Sequence, residues 1–151
     1  MALQYALYLA THLKPERALS ILANRVDGAS WSDDGSFLVD TTVTMTVAEP
    51  LARTRSLLEE VFHFIPTLGL GFRFVNNTDH DRARHLMLQA TMLMLEHAQD
   101  ALLLFNGEII VLQRFGGKLV FNSENEIWDD RWLKSRLSHP FEWRPLPSPL
   151  L

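Results

Sequence analysis

The chain has 151 residues, of which 47% are hydrophobic and 21% charged, values that are ordinary for a soluble globular protein. This length suits a single domain with one well-buried core. Lys and Arg total 14 against 18 Asp and Glu, and the resulting net charge of -4 argues against a general affinity for nucleic acid, which needs many cations to displace phosphate counterions. Because there is no cysteine, disulfides, zinc–thiolate sites and thiol nucleophiles are excluded.

The opening stretch, MALQYALYLATHLK, predicts a strand, because its side chains alternate between two faces. One face carries Leu3, Tyr5, Leu7 and Leu9, and the other carries Gln4, Ala6 and Tyr8. The stretch lacks the early basic residues and the cleavage site of a secretory signal. The apolar runs elsewhere are far shorter than the roughly 20 residues that span a bilayer. We therefore expect a cytoplasmic protein with no membrane association.

A helix is predicted after this strand, since Pro15 suits a first helical turn and apolar residues follow at helical spacing. From Phe37 to Val47 the pattern alternates strictly, which predicts one long half-buried antiparallel strand. One face of this strand bears a threonine column formed by Thr42, Thr44 and Thr46. The column could bind a partner, but threonine is also a common exposed strand residue, and that interpretation is favoured.

A second helix is predicted between Pro50 and Pro66, with a core stripe formed by Leu51, Leu58, Val61, Phe62 and Ile65. The sequence LGFRFV then predicts another strand. Thr78 is the predicted N-cap of a third helix, which is apolar around nearly its whole circumference. Such a helix is typically buried on several sides or covered by a partner.

Two tight-turn dipeptides, Asn106-Gly107 and Gly116-Gly117, predict a three-stranded meander over about 101–105, 108–115 and 118–122. The segment 123–151 holds three of the four Trp and four of the seven Pro, so we expect an irregular segment, with a short helix near 128–137, packed on the body. The elements together predict a single α+β domain over 1–151, with a mainly antiparallel sheet of five or six strands and about three helices.

The sequence contains little that indicates catalysis. Glu60 and His63 share one helical face and could reach a metal, but no second pair has that spacing. His80 and His85 diverge too far around a helix to share an ion, and Gly69-Leu70-Gly71 lacks the third glycine of a phosphate-binding loop. We predict no catalytic residue, no metal and no cofactor. The alternative is a small enzyme or ligand-binding domain with a pocket between sheet and helices that contains Glu60, His63 or His85.

One cluster, in the sequence NSENEIWDDRW, has the composition of a protein-binding epitope. It consists of Glu124, Glu126, Trp128, Asp129, Asp130 and Trp132. An exposed Trp would bury area against a partner, and the carboxylates would steer a basic one. The alternative, which is favoured, is that both indoles pack onto the sheet while the acids merely solvate a loop. Asp33 and Asp34 would extend the acidic surface if they lay nearby.

Several local sequences resemble a known family. The stretches MALQYALYLA and DALLLFNGEIIVLQRFGGKLVFN, the latter followed by IWDD, are similar to the swarming-inhibition immunity proteins, small bacterial proteins associated with the Sit toxin–immunity pairs of myxobacteria. The segment DTTVTMTVAE, residues 40–49, resembles the central alternating strand of that family. The resemblance implies a non-enzymatic protein that protects its own cell by binding a cognate toxin domain. The sequence leaves open whether it is a monomer or a homodimer formed through the Met-rich third helix. An acidic face would suit a basic toxin such as a nuclease, and no catalytic residue is implied.

Overall fold

The computed structural model describes residues 3–125 and 127–150, which form one α+β unit built on a single sheet. The strands are β1 (Gln4–Thr11), β2 (Ser30–Trp31), β3 (Leu38–Val39), β4 (Val43–Ala48), β5 (Leu68–Phe74), β6 (Ala98–Phe105), β7 (Ile109–Phe115), β8 (Lys118–Asn122) and β9 (Glu142–Arg144). The helices are α1 (Pro15–Arg25), α2 (Ala52–Phe62), α3 (His80–Leu95) and α4 (Asp130–Arg136).

The sheet has nine strands within these ranges, in the order β2-β3-β4-β5-β1-β6-β7-β8-β9. Each neighbouring pair is antiparallel except β8 and β9, which are parallel. The α+β class and the mainly antiparallel sheet are therefore confirmed. The expected five or six strands were too few, because β2 and β9 have only two or three residues each, too short for a periodic pattern, and because β3 and β4 were predicted as one strand. The fourth helix, α4, lies where the short helix near 128–137 was expected.

Strand β1 lies at the centre of the sheet, between β5 and β6. The alternation predicted for it is confirmed, since Tyr5, Leu7 and Leu9 are all buried on one face. That face, which we call the helical face, packs against α1, α3 and α4 in the larger hydrophobic core. A smaller core lies on the second face, where Leu58 of α2 and Leu146 pack over strands β6 to β8.

The long strand predicted over 37–47 is wrong, because the chain turns back at Asp40–Thr42. The carboxylate of Asp40 accepts hydrogen bonds from the backbone N–H of Thr42 at 2.9 Å and from its hydroxyl at 2.6 Å. This local bonding competes with the strand ladder, as is common for Asp and Thr. Strands β3 and β4 are consequently the two arms of a hairpin, in which Leu38 pairs with Met45.

Helix α2 is found at its predicted place, but its predicted core stripe is wrong. Only Leu58 is buried within it, while Leu51 is 68% exposed and Ile65 is 53% exposed. The helix ends at His63, which adopts a left-handed conformation with φ of 63°. Because the chain changes direction after His63, the side chain of Phe64 is buried and that of Ile65 is exposed.

Helix α3 is buried on several sides, as its apolar circumference predicted. Its buried residues are Ala83, Leu86, Met87, Leu88, Ala90, Thr91, Leu93, Met94 and Leu95. Its N-cap is Asp79, not Thr78, since one carboxylate oxygen of Asp79 accepts from the N–H groups of Asp81 and Arg82. The Thr78 hydroxyl instead donates to the carbonyl of Val75.

Both glycine turns of the meander are confirmed. Asn106 and Gly107 have φ of 50° and 77°, and Gly116 and Gly117 have φ of 60° and 81°. Two consecutive positive φ angles are what a two-residue turn between antiparallel strands requires. No helix within the described ranges has the length and apolar character needed to cross a membrane.

Candidate functional site

Trp128, the expected anchor of the acidic epitope, lies inside the protein. Its side chain is only 5% exposed, and its indole N–H donates to the backbone carbonyl of Arg84 at 3.1 Å. Its ring meets Phe121 edge-to-face, with 5.9 Å between the ring centroids. Trp128 therefore joins the segment after β8 to α3, and a partner cannot contact the ring while it is packed in this way.

Two of the carboxylates hold α4 in place. Asp129 is the N-cap of this helix, and its carboxylate accepts from the N–H of Trp132 at 2.6 Å. Asp130 pairs with Lys134 one turn later, at 2.9 Å. Glu124 is exposed, and Glu126 lies outside the described residues.

Trp132 is the half-buried member of the cluster. Its ring packs edge-on to His85 at 6.1 Å between centroids, and the guanidinium of Arg136 lies 5.3 Å from the ring centroid. Arg136 and the neighbouring Arg131 are exposed, so cations as well as carboxylates surround this indole at the surface.

Asp33 and Asp34 do not join this cluster. They lie in the loop between β2 and β3 at one edge of the sheet, whereas residues 123–125 and 127–129 follow β8 near the opposite edge. Hydrogen bonds from Ser36 and Ser32 lower the pKa of Asp34. The acidic surface expected to combine the two groups is thus divided between two distant parts of the molecule.

The residues of the alternative pocket are also separated. Glu60 and His63 are exposed on or next to α2, on the second face, while His85 belongs to α3 on the helical face. The sheet lies between them, so they do not converge on one substrate atom. In the part of the chain that the structure describes, no three His, Asp or Glu side chains are arranged to hold a metal ion.

Part of the second face, over strands β4, β5 and β1, is bordered by no helical residue among those that the structure describes. Two rows of side chains cross it. Thr44, Arg73 and Gln4 are aligned in one row by strand register, and Thr46, Gly71 and Ala6 form the next. Two members of the predicted threonine column, Thr44 and Thr46, therefore do line a surface, while Thr42 is buried in the turn that splits the predicted strand.

A hollow of about 710 Å³ lies over these rows. Phe37 and Val75 provide apolar walls, and Thr44, Thr46 and Gly71 belong to its floor. Arg73 is exposed, and it is the one charged residue among those that line the hollow. We call this feature the trough, defined by Gln4, Phe37, Thr44, Thr46, Gly71 and Arg73.

Sequence analysis missed the trough, although a signal for it was present. Gly69 and Gly71 were considered only as a phosphate-binding motif. Their spacing of two in a strand places both on one face, and glycine inside a strand often marks the close approach of another backbone. A Cβ atom at Gly69 would touch the Tyr8 ring at 3.5 Å, and one at Gly71 would lie 2.7 Å from the Thr46 hydroxyl oxygen.

A family model described as SitI3-like matches residues 3–132. The match extends from the start of β1 into α4, and so includes the trough and all six residues of the acidic cluster. No curated protein and no solved structure matches the chain. The resemblance to the Sit immunity proteins is confirmed by this match: the chain belongs to the SitI3-like family.

Proposed function

We propose that this protein is an immunity protein that binds a cognate bacterial toxin and neutralises it through a protein–protein interface. The observation that carries the proposal is the match of the SitI3-like family to residues 3–132. An immunity protein acts by binding a partner. It needs a preformed binding surface more than it needs catalytic groups that converge on a substrate.

The fold is suited to that task, because its surface is held by a rigid frame. The central strand is paired on both sides, and hydrophobic cores pack on both faces of the sheet. The described residues expose 8248 Å² in all. A standard interface buries about 800 Å² on each partner, so roughly a tenth of this surface would suffice.

The acidic cluster is the first proposed contact surface. Glu124 is exposed just after β8, Asp129 is exposed at the start of α4, and Trp132 in the first turn of that helix is partly exposed. Trp128 would act from inside, by fixing α4 against α3 through its bond to the Arg84 carbonyl. Carboxylates at this position would attract a basic toxin, such as a nuclease, and would raise its association rate at low salt.

The direct test is binding to the toxin encoded beside this protein, measured by calorimetry, together with growth of cells that express the toxin. We expect the wild type to bind with a stoichiometry of one and to restore growth. If a folded wild-type protein neither binds this toxin nor protects against it, the proposed function is wrong.

The cluster is tested with charge changes that keep the fold. Glu124→Lys reverses an exposed charge, and Asp129→Asn removes a charge while an Asn side chain can still cap α4. We expect both changes to weaken toxin binding, and Glu124→Lys to reduce its dependence on salt concentration. Glu16→Lys on α1, which is also exposed, is the matched control and should leave binding unchanged.

A further inference from the structure

The trough has features that the family match does not explain. None of the described residues that line it belongs to a helix, and its floor is made of small or polar residues where an exposed strand usually carries larger ones. Gly71 contributes no side chain to the floor, and the Thr46 hydroxyl lies 2.7 Å from where its Cβ atom would stand, so a hydroxyl group is presented at this point of the trough. At about 710 Å³, the space would hold several residues of an extended peptide.

The charges of the trough are arranged at its two ends. Arg73 is the one charged residue that lines the main hollow, and it forms no ion pair and no side-chain hydrogen bond with any residue that the structure describes. Beyond Thr46 and Gly71 the surface continues into a smaller hollow of about 240 Å³, where Glu49 is the one charged lining residue. An acidic group in the main hollow is therefore attracted to Arg73.

Hydrogen-bond donors surround Arg73. Thr44 and Gln4 occupy the positions directly opposite it on the two neighbouring strands, and their hydroxyl and amide groups can donate to the same acceptor as the guanidinium. A carboxylate fits this arrangement well, because its two oxygens can accept two parallel bonds from arginine.

We propose that the trough docks an extended segment of a partner protein, and that an Asp or Glu side chain of this segment pairs with Arg73. The inference rests on the proposed function in one respect, since it assigns the segment to the toxin. The trough lies on the second face and the acidic cluster lies beside α4 on the helical face, so the trough is a contact surface separate from that cluster.

The first experiment does not involve the toxin. Backbone amide resonances of the protein are followed by NMR during titration with the blocked peptide acetyl-Gly-Glu-Gly-amide, and in parallel with its Gln analogue and with inorganic phosphate. We expect the Glu peptide to shift the resonances of Thr44, Gly71 and Arg73, and the Gln peptide to leave them in place. Arg73→Gln should abolish these shifts, whereas Arg17→Gln, the same change on α1 on the helical face, should not.

Equal shifts with the Glu and Gln peptides, shifts that survive Arg73→Gln, or shifts with phosphate alone would each overturn the proposal. The first two outcomes would mean that Arg73 does not recognise a carboxylate, and the third that the site is selective for a different anion.

The second experiment measures toxin binding by calorimetry. We expect Arg73→Glu to weaken binding about tenfold or more, and Arg17→Glu to change it less than twofold. Gly71→Val should also weaken binding, because its side chain fills the floor, while the folded structure persists as judged by the NMR spectrum.

The two proposals can fail separately. If the wild type binds the toxin and both trough variants bind it equally well, the docking site is wrong and the immunity function stands. If the Glu peptide binds at Arg73 but the wild type does not bind the toxin, the immunity function is wrong and the trough recognises a carboxylate-bearing segment of another protein.

Discussion

Arg82 and Asp40, which are 42 residues apart in the chain, form a close ion pair in which Nη2 of the guanidinium lies 2.7 Å from Oδ1 of the carboxylate. The Asp40 side chain is only 5% exposed. The pair ties the turn between β3 and β4 to the first turns of α3. The position of the Arg82 guanidinium also favours glycine at position 28, since a Cβ atom there would collide with Nη2 of Arg82.

This pair should make stability depend on pH in the acid range. Burial alone raises the pKa of Asp40, but the hydrogen bonds from Arg82 and Thr42 outweigh burial and lower the pKa from 3.8 to about 2. Because the folded state has the lower pKa, the stabilisation is present above about pH 4 and is lost as the pH falls towards 2. It should amount to about 2 kcal/mol in the free energy of unfolding.

Urea unfolding of the wild type and of Asp40→Asn, measured from about pH 2 to about pH 6, would check this prediction, because carboxyl groups titrate in this pH range. The difference between the two proteins should be largest near pH 6 and should shrink towards pH 2. Asp81→Asn is the control, because Asp81 also pairs with an arginine but its side chain is 89% exposed. A constant difference between wild type and Asp40→Asn would contradict the pKa assigned to Asp40.

Trp128→Ala should destabilise the protein by about 3 kcal/mol or more, because it removes a buried indole and leaves a cavity between the segment after β8 and α3. Trp31→Ala, at a ring that is 46% exposed on an edge strand, should cost less than about 1 kcal/mol. Chemical denaturation measures both values. Similar small losses for the two variants would show that Trp128 is not packed as described.

Thr91→Val should stabilise the protein by about 1 kcal/mol. The Thr91 side chain is fully buried in α3, and its hydroxyl oxygen has no hydrogen-bond partner among the described residues, so a methyl group of similar shape removes a buried polar group at little cost. Thr42→Val is the matched control. Its hydroxyl donates to Asp40 at 2.6 Å, and its loss should cost about 2 kcal/mol. The midpoints of thermal and urea unfolding should therefore rise for Thr91→Val and fall for Thr42→Val.

Gly107→Ala should destabilise the hairpin between β6 and β7 by about 1 kcal/mol, because Gly107 has φ of 77° and an L-residue is strained there. No atom lies within 4 Å of the added Cβ, so the loss would report backbone strain alone. Gly69→Ala, with no positive φ and ordinary contact with Tyr8, should change stability by less than about 0.5 kcal/mol. A neutral result for Gly107→Ala would mean that the turn has relaxed to another type.

The parts of the fold that the sequence predicted correctly depend on signals within a few residues. The alternation along β1 and the positive φ angles at Asn106-Gly107 and Gly116-Gly117 are local properties of the backbone. The predictions failed where a distant group changes the outcome. The strand pattern of residues 37–47 is regular, yet Thr42 and the distant Arg82 both donate hydrogen bonds to the Asp40 carboxylate and stabilise a turn there.

The candidate sites show the same division. In the sequence, Trp128 lies among acidic residues, a composition that is typical of a protein-binding epitope. Only the tertiary structure brings the Arg84 carbonyl to the indole N–H and so fixes the ring in the interior. The trough is a clearer case, since its rows come from three strands that are far apart in the chain.

By itself, the sequence determined the α+β class, the places of the main helices, the glycine turns and the family, because helix periodicity, turn geometry and local motifs are properties of neighbouring residues. Only the tertiary structure decided which tryptophan is buried, where the predicted long strand breaks, and where the trough lies on the second face. These outcomes depend on strand register and on long-range contacts. A shift of β5 by one residue against β4 would place a phenylalanine of the core at the position of Arg73 on the second face. No local sequence pattern indicates which register forms.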